Sequence, residues 1–139
     1  MKFTFPFAVL AVLLSSCTSN SPLPLDADHA KVILLTDDAT KKDARDALTV
    51  ATKFLEHWRD GEIDKALTFV DRRLRDVFEK EMARKQNTKD IERVTEIRVF
   101  RTGRSNALVA RVGVVRKGRP GGMILDMEFM DKTWVITAK

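Results

Sequence analysis

The sequence predicts an α+β fold in which N-terminal helices pack on a four-stranded antiparallel sheet. Three observations carry this. Apolar residues recur at three-and-four spacing between residues 44 and 82, the period changes to two from Ile91 onward, and the alternating stretches are joined by short polar turns. Helices followed by a run of antiparallel strands make two layers around one core, and 139 residues accommodate one such domain at most. A composition of 44% hydrophobic and 32% charged residues, with 6 Gly and 4 Pro, is that of a chain able to fold.

The chain opens with Lys2, an apolar run from Phe3 to Leu14 interrupted by Pro6, and the small residues Ser15 and Ser16 before Cys17. Those three zones are the pattern of an export signal, and the run is shorter than the roughly 20 residues a spanning helix needs. Leu14-Ser15-Ser16-Cys17 resembles the lipobox of bacterial lipoproteins, with Cys17 the only cysteine of the chain and so without an internal disulfide partner. The resemblance implies that residues 1–16 are removed and that Cys17 is acylated. Each buried CH₂ then contributes about 0.8 kcal/mol, so that two or three chains anchor the protein in a membrane without a spanning helix. In that family an aspartate after the cysteine favours retention in the inner membrane. Thr18 stands there, which implies a cell-envelope protein on the outer membrane, facing the periplasm.

Residues 17–36 read as the lipidated cysteine and a flexible tether, because Ser19, Asn20, Ser21, Pro22, Pro24, Asp26 and Asp28 bury little surface. His29 reads as a solvated residue of this tether. Val32 to Leu35 is a short apolar run compatible with a strand or an extended segment on the domain, which is expected to occupy residues 37–139.

Asp37 or Asp38 offers an N-cap for a long helix whose apolar stripe is Ala44, Ala47, Leu48, Ala51, Phe54, Leu55 and Trp58, and Asp60-Gly61 closes it. A second stripe, Ile63, Ala66, Leu67, Val70, Leu74, Val77, Phe78 and Met82, follows after a very short connection, with a break expected near Val70-Asp71. Strands are expected at Ile91–Arg101, Ala107–Arg116, Met123–Met130 and Thr133–Ala138, with turns at residues 102–106, 117–122 and 131–132. Met123, Leu125, Met127 and Phe129 alternate with Asp126 and Glu128, which gives one buried and one wetter sheet face.

The stretch from Ala51 to Leu67, with Trp58 ending one helix and Gly61-Glu62 leading to Ala66 in the next, together with Trp134-Val135-Ile136 in a late strand, resembles the NTF2-like superfamily and its small lipoproteins. The likeness spans about Asp38 to the end. It implies a curved sheet enclosing a cone-shaped pocket, which some members use for catalysis and many only for binding. Phe54, His57, Trp58, Met127, Phe129 and Trp134 are the residues that would line it.

No catalytic constellation stands out. The superfamily's steroid isomerases use a pocket tyrosine, and this chain contains no tyrosine. His57, Asp60, Asp64 and Asp71 are the acids and bases within reach of such a pocket, but none comes with a second positioned group. The two histidines lie 28 positions apart and make no metal-ligand cluster, and nothing calls for a cofactor.

Charge is distributed unevenly. Residues 37–90 carry 13 basic and 13 acidic side chains, whereas residues 91–139 carry 10 basic and 5 acidic ones. Arg98, Arg101, Arg111, Arg116 and Arg119 are the expected basic surface, suited to an acidic envelope component or an acidic protein partner. Nucleic acid is disfavoured, since an exported protein does not meet it and only Phe100 interleaves with these arginines. The expected function is a membrane-anchored, non-catalytic ligand-binding or docking module. The alternatives are a small pocket enzyme of isomerase or hydro-lyase type, or an accessory subunit of a secretion or conjugation complex.

Overall fold

The computed structural model describes residues 25–84 and 89–138. The expected signal segment, Cys17 and the tether up to residue 24 lie outside the described residues. The element order is β1 (Lys31–Leu34), α1 (Lys41–Arg59), α2 (Ile63–Leu67), a 3₁₀ turn (Arg72–Leu74), α3 (Arg75–Arg84), β2 (Ile91–Arg101), β3 (Leu108–Arg116), β4 (Arg119–Met130) and β5 (Thr133–Ala138). The fold is α+β, but its sheet has five strands in the order β1-β2-β3-β4-β5, not four. It is mixed: β1 runs parallel to β2, and the other pairs are antiparallel.

The extra strand, β1, coincides with the apolar run Val32 to Leu35, for which a strand was one of the two expectations, inside the residues 17–36 expected to be tether. From Leu25 onward this segment is laid against the domain: Leu25 is 6% exposed, its N–H donates to Glu56 Oε1 at 2.9 Å, and the Val94 N–H donates to the Asp26 carbonyl at 3.1 Å. Val32-Ile33-Leu34 then pairs with Ile97-Arg98-Val99. An apolar run beside an open sheet edge satisfies its backbone groups by joining the ladder. His29 remains exposed, as expected.

α1 begins later than Asp37 or Asp38. Thr40 is the N-cap, and its side chain and that of Asp43 each accept from the other's backbone N–H, a capping box. All seven residues of the predicted stripe, from Ala44 to Trp58, are buried. Gly61 ends the helix with φ of +77°, a left-handed turn that costs glycine little.

The second stripe is divided. Val70 leaves the helix to pair with Ile136, through Ile136 N–H to Phe69 O at 2.8 Å and Asp71 N–H to Ile136 O at 2.9 Å. That pairing covers the free edge of β5 and forces the helical path to restart at the 3₁₀ turn, where the Asp71 side chain accepts from the Arg73 N–H. Phe78 and Met82 reach the core from α3, whereas Val77 is 55% exposed.

β2 and β5 have the predicted limits. β4 is longer than predicted: it starts at Arg119, because Arg116 pairs with Arg119 across a two-residue turn at Lys117-Gly118. Gly121 and Gly122, expected in that turn, lie in the strand at positive φ, where the β3–β4 register slips between Val114 and Arg116. Asp131 and Lys132, with φ of 48° and 65°, make the other tight hairpin.

One face of the sheet carries Ile97, Val99, Ala110, Val112, Leu125, Met127 and Ile136, all fully buried beneath the helices. The other face is open and carries Glu96, Arg98, Arg111, Gly113, Ile124 and Asp126.

Candidate functional site

The residues expected to line a cone-shaped pocket are split by the structure. Phe54, Trp58, Met127 and Trp134 lie in the core between 0% and 4% exposed. Their rings pack on their neighbours: Phe54 stands 5.8 Å from Trp58 and 6.3 Å, edge to face, from Phe78. Large side chains thus fill the space between α1 and the sheet, because the helix stripe and the inner strand positions are all apolar. Phe129 sits at the rim, 42% exposed, with its ring 5.5 Å from that of Trp134.

His57 does not reach this core. It lies on the last turn of α1, stacked on Phe69 with ring centroids 6.0 Å apart, and its Nδ1 is 2.6 Å from Glu62 Oε2. Lys65 Nζ donates to the other Glu62 oxygen at 3.0 Å. The hydrogen bond to His57, and then that to Lys65, hold the Glu62 carboxyl below its ordinary value. The trio clamps the α1–α2 corner, and its contacts are those of a structural brace. Asp60 pairs with Arg59 at 3.1 Å.

Asp71 is the one buried charged residue among those described, 6% exposed. It accepts from the Arg73 N–H at 3.1 Å and from Arg73 Nη2 at 2.8 Å. Those bonds to Arg73 keep its carboxyl below the usual aspartate value. It caps the 3₁₀ turn, with Arg73 and then Arg75 as the charged groups acting on it. Among the described residues no three His, Cys, Asp or Glu side chains gather into a metal-binding group, and no helix is long and apolar enough to cross a membrane.

The five arginines of the expected basic surface occupy three places. Arg98 and Arg111 are opposite one another in the middle of the open face. Arg111 Nε donates to Asp126 at 2.8 Å, and Arg98 lies 3.4 Å from Glu96. Arg101, at one end of the sheet, donates to Asp38 at 2.5 Å. Arg116 and Arg119, at the other end, share Asp90 at 2.9 and 3.1 Å. Ten residues of strand between positions 91 and 101 span about 33 Å, so these are separate sites rather than one patch. Segmental charge does not reveal this, since Arg101, Arg116 and Arg119 pair with Asp38 and Asp90, outside the strands that hold the arginines, and Arg98 and Arg111 pair with Glu96 and Asp126 within them.

Two clefts escaped sequence reasoning. One, of about 660 Å³, lies between α1 and the segment that was expected to be tether, with Leu25, Ala27 and Leu48 below and Arg45, Lys53 and Glu56 around it. The other, of about 410 Å³, is a dip in the open sheet face over Gly113, flanked by Leu35, Phe100, Ile124, Arg98 and Arg111. A Cβ at Gly113 would be tight, 3.0 Å from Thr95 Oγ1 and 3.3 Å from Glu96 Cγ, so those side chains would have to give by a few tenths of an ångström.

The class that these features define is an α+β protein with helices on one face of a five-stranded mixed sheet and the other face open. Comparison with family models, curated proteins and solved structures found no match.

Proposed function

We propose that this protein is a membrane-anchored lipoprotein of the cell envelope, held on the outer membrane through acylated Cys17, whose NTF2-like domain is a non-catalytic ligand-binding or docking module. The observation that carries the module reading is the filled interior. Phe54, Trp58 and Met127 leave the space beneath the helices to packed side chains, while polar groups and clefts lie on the outside. A catalytic pocket needs converging polar groups shielded from water, and recognition at an open face needs only surface complementarity. The helices-then-meander order supports the superfamily likeness, with β1 as an added parallel edge strand. The lipobox-like Leu14 to Cys17 supports the anchor.

Two measurements test the two halves. Intact-mass analysis of the mature protein is expected to begin at Cys17 and to carry acyl chains that Cys17→Ser removes; an unacylated protein in the soluble fraction would overturn the anchor. The two tryptophans, Trp58 and Trp134, are 2% and 4% exposed, so acrylamide should quench their fluorescence far less than that of free indole. Quenching near the free-indole rate would reveal an open interior and return the reading to a pocket enzyme.

A further inference from the structure

The described chain begins at one end of the sheet. Leu25 is tied to Glu56 near the C-terminus of α1, and Asp26 bridges Arg93 near the start of β2. β3 finishes and β4 starts at this same end, since Ile91 pairs with Arg116 and Arg116 with Arg119. Strands stand about 4.8 Å apart, which puts the hairpin tip two to three strands, about 10–15 Å, from the entering segment. Cys17 precedes Leu25 by eight residues, a length that spans at most about 29 Å when fully extended. An anchor at Cys17 therefore keeps this end of the domain, rather than the end bearing Arg101, toward the bilayer.

This end is cationic in a particular way. Arg116 and Asp90, 12% and 14% exposed, form a pair at 2.9 Å, and the Asp90 carbonyl accepts from the Lys117 N–H at 2.6 Å. Asp90 is thereby neutralised and fixes the base of the hairpin. Arg119, 56% exposed, shares the same carboxylate. The side chains of Lys117 and Lys89 form no ion pair among the described residues and are exposed. Three exposed cations thus lie around the tip; among the described residues Asp90 beneath them is already matched by Arg116, Glu92 is an exposed carboxylate beside Ile91 at the base of the hairpin, and Asp26 and Asp28 belong to the entering segment across β2.

We infer that Lys89, Lys117 and Arg119 form a membrane-facing foot that binds the phosphates of anionic lipid headgroups and so holds the domain down on its own bilayer. This rests on the anchoring through Cys17 proposed above. Each cation near an anionic surface contributes about fivefold in partitioning, and the attraction is confined to about one Debye length, roughly 8 Å at physiological salt.

Lysine acetylation, read residue by residue by mass spectrometry, tests it on the acylated full-length mature protein reconstituted into vesicles. One set is phosphatidylcholine alone, and the other includes a quarter phosphatidylglycerol. Lys89 and Lys117 should react about fivefold more slowly on the anionic vesicles, the difference should vanish at high salt, and Arg119→Gln should reduce it. Lys42, whose side chain is 82% exposed at the opposite end of the domain, is the reference and should react equally on both. Equal rates for Lys89 and Lys117 on the two vesicle types, or protection that falls on Lys42, would overturn the foot. A failure of anchoring shows separately, as an intact mass without acyl chains.

Discussion

The two faces of the sheet are built from alternate residues of the same strands, yet they do different work. On the inner face Ile97, Val112, Leu125, Met127 and Ile136 are fully buried. On the open face the side chains of Arg98 and Arg111 are about half exposed and each lies beside a carboxylate. Close packing makes every inner atom costly to remove, because the cavity left behind relaxes only partly. Exposed ion pairs contribute little, because water and salt screen them and two long side chains must be immobilised. Stability therefore resides on the inner face, and the outer face can change at little cost to it.

The largest expected effect tests the inner face. Trp58→Ala empties a site that is 2% exposed and should cost about 3–5 kcal/mol, a large share of the stability of a domain this size. A thermal melt within a degree or two of wild type would mean that α1 does not face the sheet in this way.

Leu25→Ala extends the comparison to the segment that precedes β1. A tether residue would tolerate it, whereas a clamp that is 6% exposed should lose about 2–3 kcal/mol by urea denaturation. Loss below about 0.5 kcal/mol would restore the tether as far as residue 30.

Asp71→Asn probes the one buried carboxylate among the described residues, and about 1 kcal/mol is expected at neutral pH for the weakened cap and ion pair. Because Arg73 holds the folded carboxyl below its unfolded value of about 3.9, ionised Asp71 stabilises the fold above that value. This contribution is lost as pH falls through the lower, folded value. Melting curves for wild type and variant should therefore converge below about pH 4, and a gap that widens in acid would contradict the assignment.

The smallest effect is expected on the open face. Arg111→Ala removes the pair with Asp126 and should change stability by about 0.5 kcal/mol or less, with that change fading at high salt. A loss above 2 kcal/mol would mean that the open face is part of the structural core.

Much of this was legible in local pattern. The capping box at Thr40 and Asp43, three residues apart, is a local signal that sets the start of α1 beyond Asp37 and Asp38. The alternation from Ile91 to Arg101 located β2 to the residue, since a strand with one buried face leaves a period that needs no partner to be recognised. The α1 stripe was equally self-evident. What pattern could not supply were contacts between distant segments. β1 is four residues long and its partner lies more than sixty residues away, so the apolar run at Val32 to Leu35 was compatible with a strand, but nothing local announced its parallel pairing with β2. Val70 left its helix for Ile136 because an unpaired edge of β5 was there to be covered. Segmental charge promised one basic surface, but Asp38 and Asp90, brought in from elsewhere, divided it. Side-chain period is a property of neighbouring residues and survives in the one-dimensional chain. The filling of the interior, the pairing of edges and the neutralisation of charges depend on which remote segments meet, and only the folded arrangement decides that.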